Sequence, residues 1–409
     1  MFIPFRKVSN RKKKNPWFNK TCADAIIEKK TAFVNIKGTN DAASLKLFSE
    51  KRNDAVRACR LAKRQYKERI SDQLKSSRGS NGKKWSKLVN LATGRYKTSQ
   101  IPALKKDEKV ISDNLEKATI FNEMFSSVSQ VKDDGVAPPP ITYDISTTLT
   151  SIKFRYRDIA RRLRKLDTSK STGPDGISAT VLKECADELA PSLSKIFSFS
   201  FNAGCLPEEW KCSNVCPIHK KGSKSAPENY RPISLLCIAG KVMEGIINTQ
   251  LRSHLLQNDL IHDHQFGFRP KCSALDALSL ATQKWEDALD KGKEIRVVSL
   301  DISRAFDKVW HPGLIAKLKA AGIGGNLLSW LISFLSGRSQ RVVVEGESSS
   351  SLSIGAGVPQ GSILGPTLFL LFINDLQEVL KNKVVMFADD TTLYSVVDSK
   401  KNGRQYLFL

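Results

Sequence analysis

The longest run of helical periodicity lies in the first third of the chain. Between Asp41 and Leu74 apolar residues recur at helical spacing, and the segment contains neither proline nor glycine. The apolar positions that set this period are Leu45, Phe48, Val56, Leu61 and Ile70. The intervening positions are rich in lysine and arginine, so the pattern predicts one long helix with a basic surface. A shorter helix is predicted around Leu115 to Phe125.

Beyond residue 140 the pattern alternates between the period of helices and that of strands. The predicted helices are Arg157 to Leu166, Ala179 to Phe201, Gly240 to Leu256 and Ala274 to Leu289. The predicted strands are VCPIHK at Val215 to Lys220 and the run Ile295 to Ile302. Near the end, VVMFADDTTLYS at Val384 to Ser395 places two β-branched and aromatic runs on either side of an acidic pair. This mixture, with antiparallel signals near the end, predicts an α+β fold.

Two segments that disfavour regular structure divide the chain. SSRGSNGKKW, Ser76 to Trp85, ends the long helix with glycines, and DDGVAPPP, Asp133 to Pro140, is typical of a linker. We therefore predict a basic helical region at 1–140, which we expect to bind nucleic acid, a larger domain at 141–398 and an unmatched tail at 399–409.

The charge of the chain points to an acidic partner. The formal net charge is +24, and residues 1–130 contain 30 lysines and arginines against 12 aspartates and glutamates. Nucleic acid is the commonest partner of so basic a protein, although a solvated helical face is also basic on occasion. We expect RNA binding to weaken steeply with salt, and deletion of residues 1–130 to reduce that dependence.

The cysteines and the hydropathy place the chain inside the cell. Eight cysteines are scattered along it without a signal-like apolar start, which predicts reduced thiols and an intracellular protein of the nucleus or cytoplasm. A zinc site is an alternative for one cluster of side chains, Cys205, Cys212, Cys216 and His219, but it lacks a C-x2-C pair. The longest apolar run, Thr367 to Ile373, is too short to cross a membrane.

Two interpretations compete for the adjacent carboxylates Asp389 and Asp390. Aspartates are common in two-residue hairpin turns, where they face water. Alternatively, a divalent cation holds them together against their mutual repulsion, and that interpretation requires a third carboxylate. EIRVVSLDISRAFDKVWH supplies one in Asp301, at the end of an apolar run that predicts a buried strand.

A buried unpaired carboxylate is costly, so Asp301 calls for a partner. With Asp389 and Asp390 it would form a cluster able to hold two Mg²⁺ ions about 3.5–4 Å apart, as in-line phosphoryl transfer requires. Mg²⁺ is preferred because it accepts carboxylates together with phosphates and water. The alternative for Asp301 is an N-cap of the following helix, a position for which Asp307 is the better candidate.

The pair of blocks LDISRAFD and FADD resembles the aspartate blocks of reverse transcriptases of non-LTR (LINE, jockey-like) retrotransposons. Four more blocks occur in the order that this family has: KSTGPDGIS, NYRPISLL, HQFGFRP and GVPQGSILGPTLF. The resemblance covers roughly residues 150 to 395. It implies a right-hand polymerase with fingers and palm, an antiparallel palm sheet, and the activity of an RNA-directed DNA polymerase, a nucleotidyltransferase.

The resemblance also implies roles for individual residues. Asp301 and Asp389 match the principal catalytic metal ligands, with Asp390 beside them and the carbonyl of Ile302 completing a metal shell. Phe306 matches the bulky residue that blocks a ribose 2′-hydroxyl, although an ordinary core aromatic is the alternative.

The remaining matches concern the incoming nucleotide. Lys220 and Arg231 flank a turn and are suited to bind triphosphate oxygens, although each alone would be a solvated charge. Gln360 and Gly361 lie in a loop where backbone is expected to approach the template and the nucleotide, unless it is a simple turn before the helix at Pro366.

The partners implied are an RNA template, a DNA primer or target DNA, and deoxynucleoside triphosphates, with no membrane. The blocks for an endonuclease and for the thumb are not found, so we expect a truncated copy with feeble synthesis. Two alternatives stay open: a catalytically inactive basic RNA-binding remnant of the element, and an RNA-dependent RNA polymerase or intron-type maturase.

Overall fold

The computed structural model of the protein describes residues 15, 17–39, 41–76, 85, 88–90, 101–106, 109–131, 135–380 and 382–397. The chain divides into two compact units, Met1–Ser99 and Gln100–Leu409. The basic run Arg11–Lys14, most of the glycine-rich segment Ser76–Trp85 and the tail 399–409 lie outside the described residues.

Two helices form the described part of the first unit, α1 (Lys20–Thr39) and α2 (Ala42–Ser76). They pack against each other, and Lys51 of α2 forms an ion pair with Glu28 of α1 at 2.8 Å. The long helix predicted between Asp41 and Leu74 is confirmed, with a lysine in its last turn where the helix dipole favours a positive charge.

The core of this helix pair is built mainly from small side chains. Ala55, Ala62 and Ile70 of α2 are buried, whereas Val56 and Leu61 are 43% and 54% exposed. Small side chains let two helix backbones approach closely, so the alanines face α1 and part of the apolar repeat faces solvent. Of the apolar positions that set the helical period, Ile70 is therefore buried while Val56 and Leu61 are exposed.

The second unit mixes helices and strands. Its helices are α3 (Asn114–Val128), α4 (Tyr156–Arg164), α5 (Ala179–Glu184), α6 (Ala186–Asn202), α7 (Glu208–Lys211), α8 (Ile238–Gln257), α9 (Ala274–Leu289), α10 (His311–Ala320), α11 (Gly325–Leu335), α12 (Gly365–Ile373) and α13 (Leu376–Val379). Short 3₁₀ segments lie at Pro227–Asn229 and Ala305–Lys308.

The strands of the second unit form three sheets. They are β1 (Leu104–Lys106), β2 (Lys109–Ile111), β3 (Cys212–His219), β4 (Tyr230–Leu235), β5 (Glu294–Asp301), β6 (Arg338–Val344), β7 (Glu347–Ser348), β8 (Leu352–Ile354), β9 (Lys383–Phe387) and β10 (Asp390–Val397). β1 and β2 pair with each other. A three-stranded sheet has the order β5-β10-β9, and all its pairs are antiparallel. A five-stranded sheet has the order β4-β3-β6-β7, with β8 on β6 and a parallel pair between β3 and β6.

The main hydrophobic core is built around α8, along which Met243, Ile247 and Leu251 are fully buried. The same cluster reaches Ala305 and Ala388, which lie beside the sequence blocks that carry the aspartates. Burial of these two alanines ties both acidic blocks to one core, so core packing fixes their relative position.

The mixed α/β class with antiparallel strands is confirmed. The helix predicted at Ala179 to Phe201 is interrupted at Cys185, which ends α5 and begins α6. The strand predicted to end in Asp301 exists, but the expectation that it is buried was wrong. β5 has a neighbour on one side only, and Val297 within it is 45% exposed. The domain boundary predicted at Asp133 to Pro140 stays a prediction.

Candidate active site

The three aspartates meet at one end of the antiparallel sheet. Asp301 is the last residue of β5 and Asp390 the first of β10, and they are partners in the antiparallel register. Asp389 lies in the two-residue turn that joins β9 to β10. The hairpin interpretation of the acidic pair is therefore confirmed, and the third carboxylate that the cation interpretation requires lies beside the turn.

The carboxyl group of Asp389 is harder to ionise than that of a free aspartate. Burial raises the pKa of its carboxyl, and the charges of Asp390 and Asp301 raise it further, while Lys220 acts in the opposite direction. Burial is the largest cause of this shift, and the repulsion from the two acidic neighbours is the part that a nearby positive charge would offset. These oxygen donors suit a hard divalent cation.

Most of the predicted site residues line one cavity of about 530 Å³. Those that line it are Lys220, Arg231, Asp301, Ile302, Phe306, Gln360 and Asp389. Asp390 and Gly361 do not line it. The cavity therefore brings together carboxylates and cations from distant blocks, and such a lining suits a ligand that carries both phosphates and bound cations.

Lys220 and Arg231 lie on either side of the turn between β3 and β4, Arg231 being the second residue of β4. Lys220 directly follows β3, and its amide donates to the carbonyl of Asn229 at 2.8 Å. Arg231 lies opposite Ile218 in the β3–β4 register. Both side chains are exposed, so their charges are available to a ligand in the cavity.

Phe306 is at once a cavity wall and a core residue. Its ring stacks on Phe369 with centroids 4.4 Å apart, and it meets Phe268 edge to face at 6.1 Å. The ring is half-buried, with the remainder facing the cavity. The core interpretation of Phe306 is therefore confirmed, and it is compatible with the other one, because the same ring also lines the cavity.

Gln360 is hydrogen-bonded to Asp307, the residue that the sequence analysis predicted to be a helix N-cap. Its Nε2 donates to Asp307 Oδ1 at 2.8 Å, and its carbonyl accepts from the amide of Ser234 at 2.8 Å. The expectation that Asp307 caps the following helix was wrong. That helix, α10, begins at His311 with Trp310 at its N-cap, while Asp307 lies inside the preceding 3₁₀ segment.

Gly361 is required by the protein's own backbone. Its φ is +129°, and a Cβ there would lie 2.4 Å from the carbonyl oxygen of Ser234. The loop therefore presses on β4 at this position. A second groove of about 650 Å³ opens on this side, lined by Gly361 and by apolar residues, with Arg162 and Lys241 among its cations.

Glu244 is a site-supporting residue that the sequence reasoning missed. It is 4% exposed on α8, and its Oε2 accepts hydrogen bonds from the amides of Ile363 (2.7 Å) and Leu364 (3.3 Å). Burial raises its pKa, and the two amide bonds oppose that shift. Glu244 thus holds the end of the loop that carries Gln360. A lone acidic residue in the apolar segment KVMEGII was the available signal.

The zinc alternative gains no support. Across the residues that the structure describes, no three histidine, cysteine, aspartate or glutamate side chains are grouped so as to hold a metal ion, and this includes the three aspartates. His219 instead donates through Nε2 to the carbonyl of Gly222 at 3.0 Å. All eight cysteines are free, as predicted. Among the helices described, none is long and apolar enough to cross a membrane.

Comparison with known proteins adds an independent finding. Residues 218–406 match the family described as reverse transcriptase (RNA-dependent DNA polymerase). The chain is 31% identical over 336 residues to the RNA-directed DNA polymerase from mobile element jockey of Drosophila melanogaster, which covers 79% of this chain and 36% of that protein.

Two other relatives agree. Identity to the probable RNA-directed DNA polymerase from transposon BS of Drosophila melanogaster is 33% over 249 residues, or 59% of this chain and 27% of the relative. Identity to the Retrovirus-related Pol polyprotein from type-1 retrotransposable element R1 of Bradysia coprophila is 25% over 416 residues, or 97% of this chain and 39% of the relative. The chain thus spans between about a quarter and two fifths of these relatives.

Proposed function

Since this chain belongs to the reverse transcriptases of jockey-like non-LTR retrotransposons, we propose that it carries the nucleotide-adding centre of an RNA-directed DNA polymerase. The observation that supports this best is the shared cavity, which Asp301 and Asp389 line together with Lys220 and Arg231. The substrates would be an RNA template, a DNA primer and deoxynucleoside triphosphates. We assign the antiparallel sheet of β5, β9 and β10 to the palm, and the β3–β4 sheet to the fingers.

The carboxylates would hold the divalent cations. Asp301 and Asp389 would be the principal ligands, with the carbonyl of Ile302 and the carboxylate of Asp390 beside them. When bound, Mg²⁺ would neutralise the charge that develops on the transferred phosphoryl group. The raised pKa of Asp389 fits this assignment, because a cation relieves the repulsion that contributes to the shift.

The other residues of the cavity would bind and select the nucleotide. Lys220 and Arg231 would donate to triphosphate oxygens, and the planar guanidinium of Arg231 can do so through two bonds. Phe306 would exclude a ribose with a 2′-hydroxyl, since the ring is held by Phe369. Gln360, oriented by Asp307, would contact the base or sugar at the reacting end.

The template would pass along the groove beside Gly361. That groove has a mostly apolar lining, which suits stacked bases, and cations such as Arg162 and Lys241, which suit the phosphate backbone. The loop from Gln360 to Gly361 separates the groove from the cavity, so one loop would contact template and nucleotide together.

Primer extension tests this function. The chain is assayed alone and joined to the remaining sequence of the jockey-type relative, with a DNA primer on an RNA template, deoxynucleotides and Mg²⁺. We expect feeble, distributive addition by the chain alone and extended synthesis by the joined protein. Asp389→Asn should reduce the rate by orders of magnitude while leaving primer–template binding intact. Asp287→Asn, on the exposed surface of α9, is the matched control.

Two outcomes would contradict the polymerase assignment. One is an inactive joined protein that still binds RNA, which would favour the basic RNA-binding remnant. The other is an Asp389→Asn variant with the wild-type rate, since the carboxylate would then have no part in the chemistry.

A further inference from the structure

One block of the sequence takes no part in lining the proposed centre, namely HQFGFRP at His264 to Pro270. It lies against the hairpin that carries Asp389. The amide of Phe266 donates to the carbonyl of Met386 at 2.8 Å, and the amide of Met386 donates to the carbonyl of His264 at 2.9 Å. The block is therefore attached to β9 just before the turn.

Ala388, the first residue of that turn, needs partners for its peptide groups. It lies beyond the β9–β10 register, which ends with Phe387 opposite Asp390. Ala388 is 5% exposed, and its φ of +59° places an ordinary L-residue in the left-handed region. A buried backbone N–H and C=O must be hydrogen-bonded, and a left-handed alanine persists only where its surroundings hold it.

A single side chain supplies both partners. Gln265 Oε1 accepts from the amide of Ala388 at 2.8 Å, and Gln265 Nε2 donates to the carbonyl of Ala388 at 3.2 Å. The same Oε1 accepts from the amide of Gly267 at 2.9 Å. Gln265 is 1% exposed. A carboxamide offers a donor and an acceptor side by side, which a carboxylate does not.

Gly267 allows this close contact. A Cβ at position 267 would lie 2.2 Å from the backbone nitrogen of Ala388, a distance at which the turn would have to move. Any larger residue at 267 would therefore displace Ala388 and, with it, the adjoining Asp389.

We propose that Gln265 and Gly267 form a latch that fixes the conformation of Ala388 and so orients Asp389 toward Asp301. Gln265 is a positioning residue in this proposal, since it acts on the carboxylate through the backbone of Ala388. The proposal rests on the function proposed above, in which Asp389 binds a divalent cation. It gives the HQFGFRP block a role in holding the metal-binding turn.

Mn²⁺ binding to the full chain tests the latch without reference to activity. Binding is measured by the loss of the electron paramagnetic resonance signal of free Mn²⁺, with primer–template present. Gln265→Met keeps the length of the side chain and removes its hydrogen bonds, and we expect Mn²⁺ binding to weaken about tenfold, as for other groups that orient a metal ligand. Gly267→Ala should weaken it in the same direction without removing a side-chain hydrogen bond.

Gln340→Met is the matched control. Gln340, on β6 of the five-stranded sheet, is also a buried glutamine, 4% exposed. Its Nε2 donates to Asn122 Oδ1 of helix α3 at 3.1 Å. It should lose stability as Gln265→Met does, yet keep the wild-type affinity for Mn²⁺. In primer extension, Gln265→Met should lower kcat, and added Mg²⁺ should restore part of that loss. The KM for deoxynucleotide should stay unchanged.

Hydrogen exchange supplies a second measurement that needs no metal. The amides of Gly267 and Ala388 should exchange faster in Gln265→Met, while the rest of β9 and β10 keeps its protection. Wild-type Mn²⁺ affinity and unchanged exchange in this variant would overturn the latch. If instead Asp389→Asn binds Mn²⁺ as tightly as the wild type, the metal site itself fails, and the latch proposal falls with it.

Discussion

Asp301 and Asp390 are partners across the antiparallel pair β5–β10, the last residue of one strand facing the first residue of the other. Asp389, in the adjoining turn, lines the cavity together with Asp301, whereas Asp390 does not. The two neighbouring aspartates of the FADD block are thus unequal, although the sequence presents them as a pair.

This inequality predicts a graded response to amide substitution. Asp389→Asn and Asp301→Asn should each abolish nucleotide addition, because each removes a carboxylate that lines the cavity. Asp390→Asn should cost less, since it removes a neighbouring charge only. Single-nucleotide addition rates at saturating Mg²⁺ measure the order. A rate for Asp390→Asn as low as that for Asp389→Asn would contradict it.

Phe306→Ala should relax sugar discrimination. Truncation removes the half-buried ring that forms the wall, so ribonucleotides should be incorporated more readily relative to deoxynucleotides. The stability cost should lie below the ~3–5 kcal/mol of a fully buried phenylalanine. The measurement is the ratio of kcat/KM for the two sugars. Phe268→Ala, which removes a neighbouring exposed ring, should leave that ratio unchanged.

Loss of Lys220 or Arg231, the cations on either side of the β3–β4 turn, should weaken nucleotide binding. Lys220→Gln and Arg231→Gln should each raise the KM for deoxynucleotide about tenfold, the value of one charge-assisted hydrogen bond. Arg231→Lys should recover only part of the loss, because an ammonium cannot bind two oxygens in a fork. Lys224→Gln, exposed in the same turn, is the control. If all four variants keep the wild-type KM for deoxynucleotide, Lys220 and Arg231 do not bind the triphosphate.

The first compact unit should dominate the salt dependence of RNA binding. Residues 1–99 contain 26 lysines and arginines against 7 acidic residues, and Arg57, Arg60 and Arg64 line one exposed surface of α2. Each phosphate neutralised releases counterions, so the logarithm of the affinity should fall linearly with the logarithm of salt. Deletion of 1–99 should flatten that line. Replacement of the three arginines by glutamine should flatten it in part, and an unchanged slope would exclude this unit from RNA binding.

Burial of His311 should make stability depend on pH. Burial lowers the pKa of this imidazole, which donates through Nε2 to the carbonyl of Gly357 at 2.8 Å. The unfolded chain, with an ordinary histidine pKa of about 6.5, therefore binds the proton first as the pH falls. Stability from this group is present above that pH and is lost between it and the lower folded pKa.

Urea unfolding at pH 7.5 and 5.5 measures this effect. His311→Gln should shrink the loss of stability between the two pH values. His264→Gln, which removes a partly exposed imidazole, should not. A loss of the same size in His311→Gln as in the wild type would show that other groups account for it.

The sequence by itself determined the features that depend on local pattern. Helix α9 was predicted from the local pattern with its observed bounds, Ala274–Leu289, and in the structure a capping box at Ser273 and Asp276 begins it. The order of the sequence blocks likewise led to the family and to Asp301 and Asp389 as partners. Local propensities and block order are written along the chain, and no tertiary contact is needed to recognise them.

Only the tertiary structure decided which groups act on those residues. Gln360 meets Asp307 across 53 positions of sequence, and Gln265 meets Ala388 across 123. Such pairs depend on how the helices and sheets pack. Sequence patterns therefore led to the wrong role for Asp307 and to no role for Gln265 and Glu244. The prediction that β5 is buried was wrong for the same reason. An apolar run does not reveal whether a strand has one neighbour or two, and β5 has one.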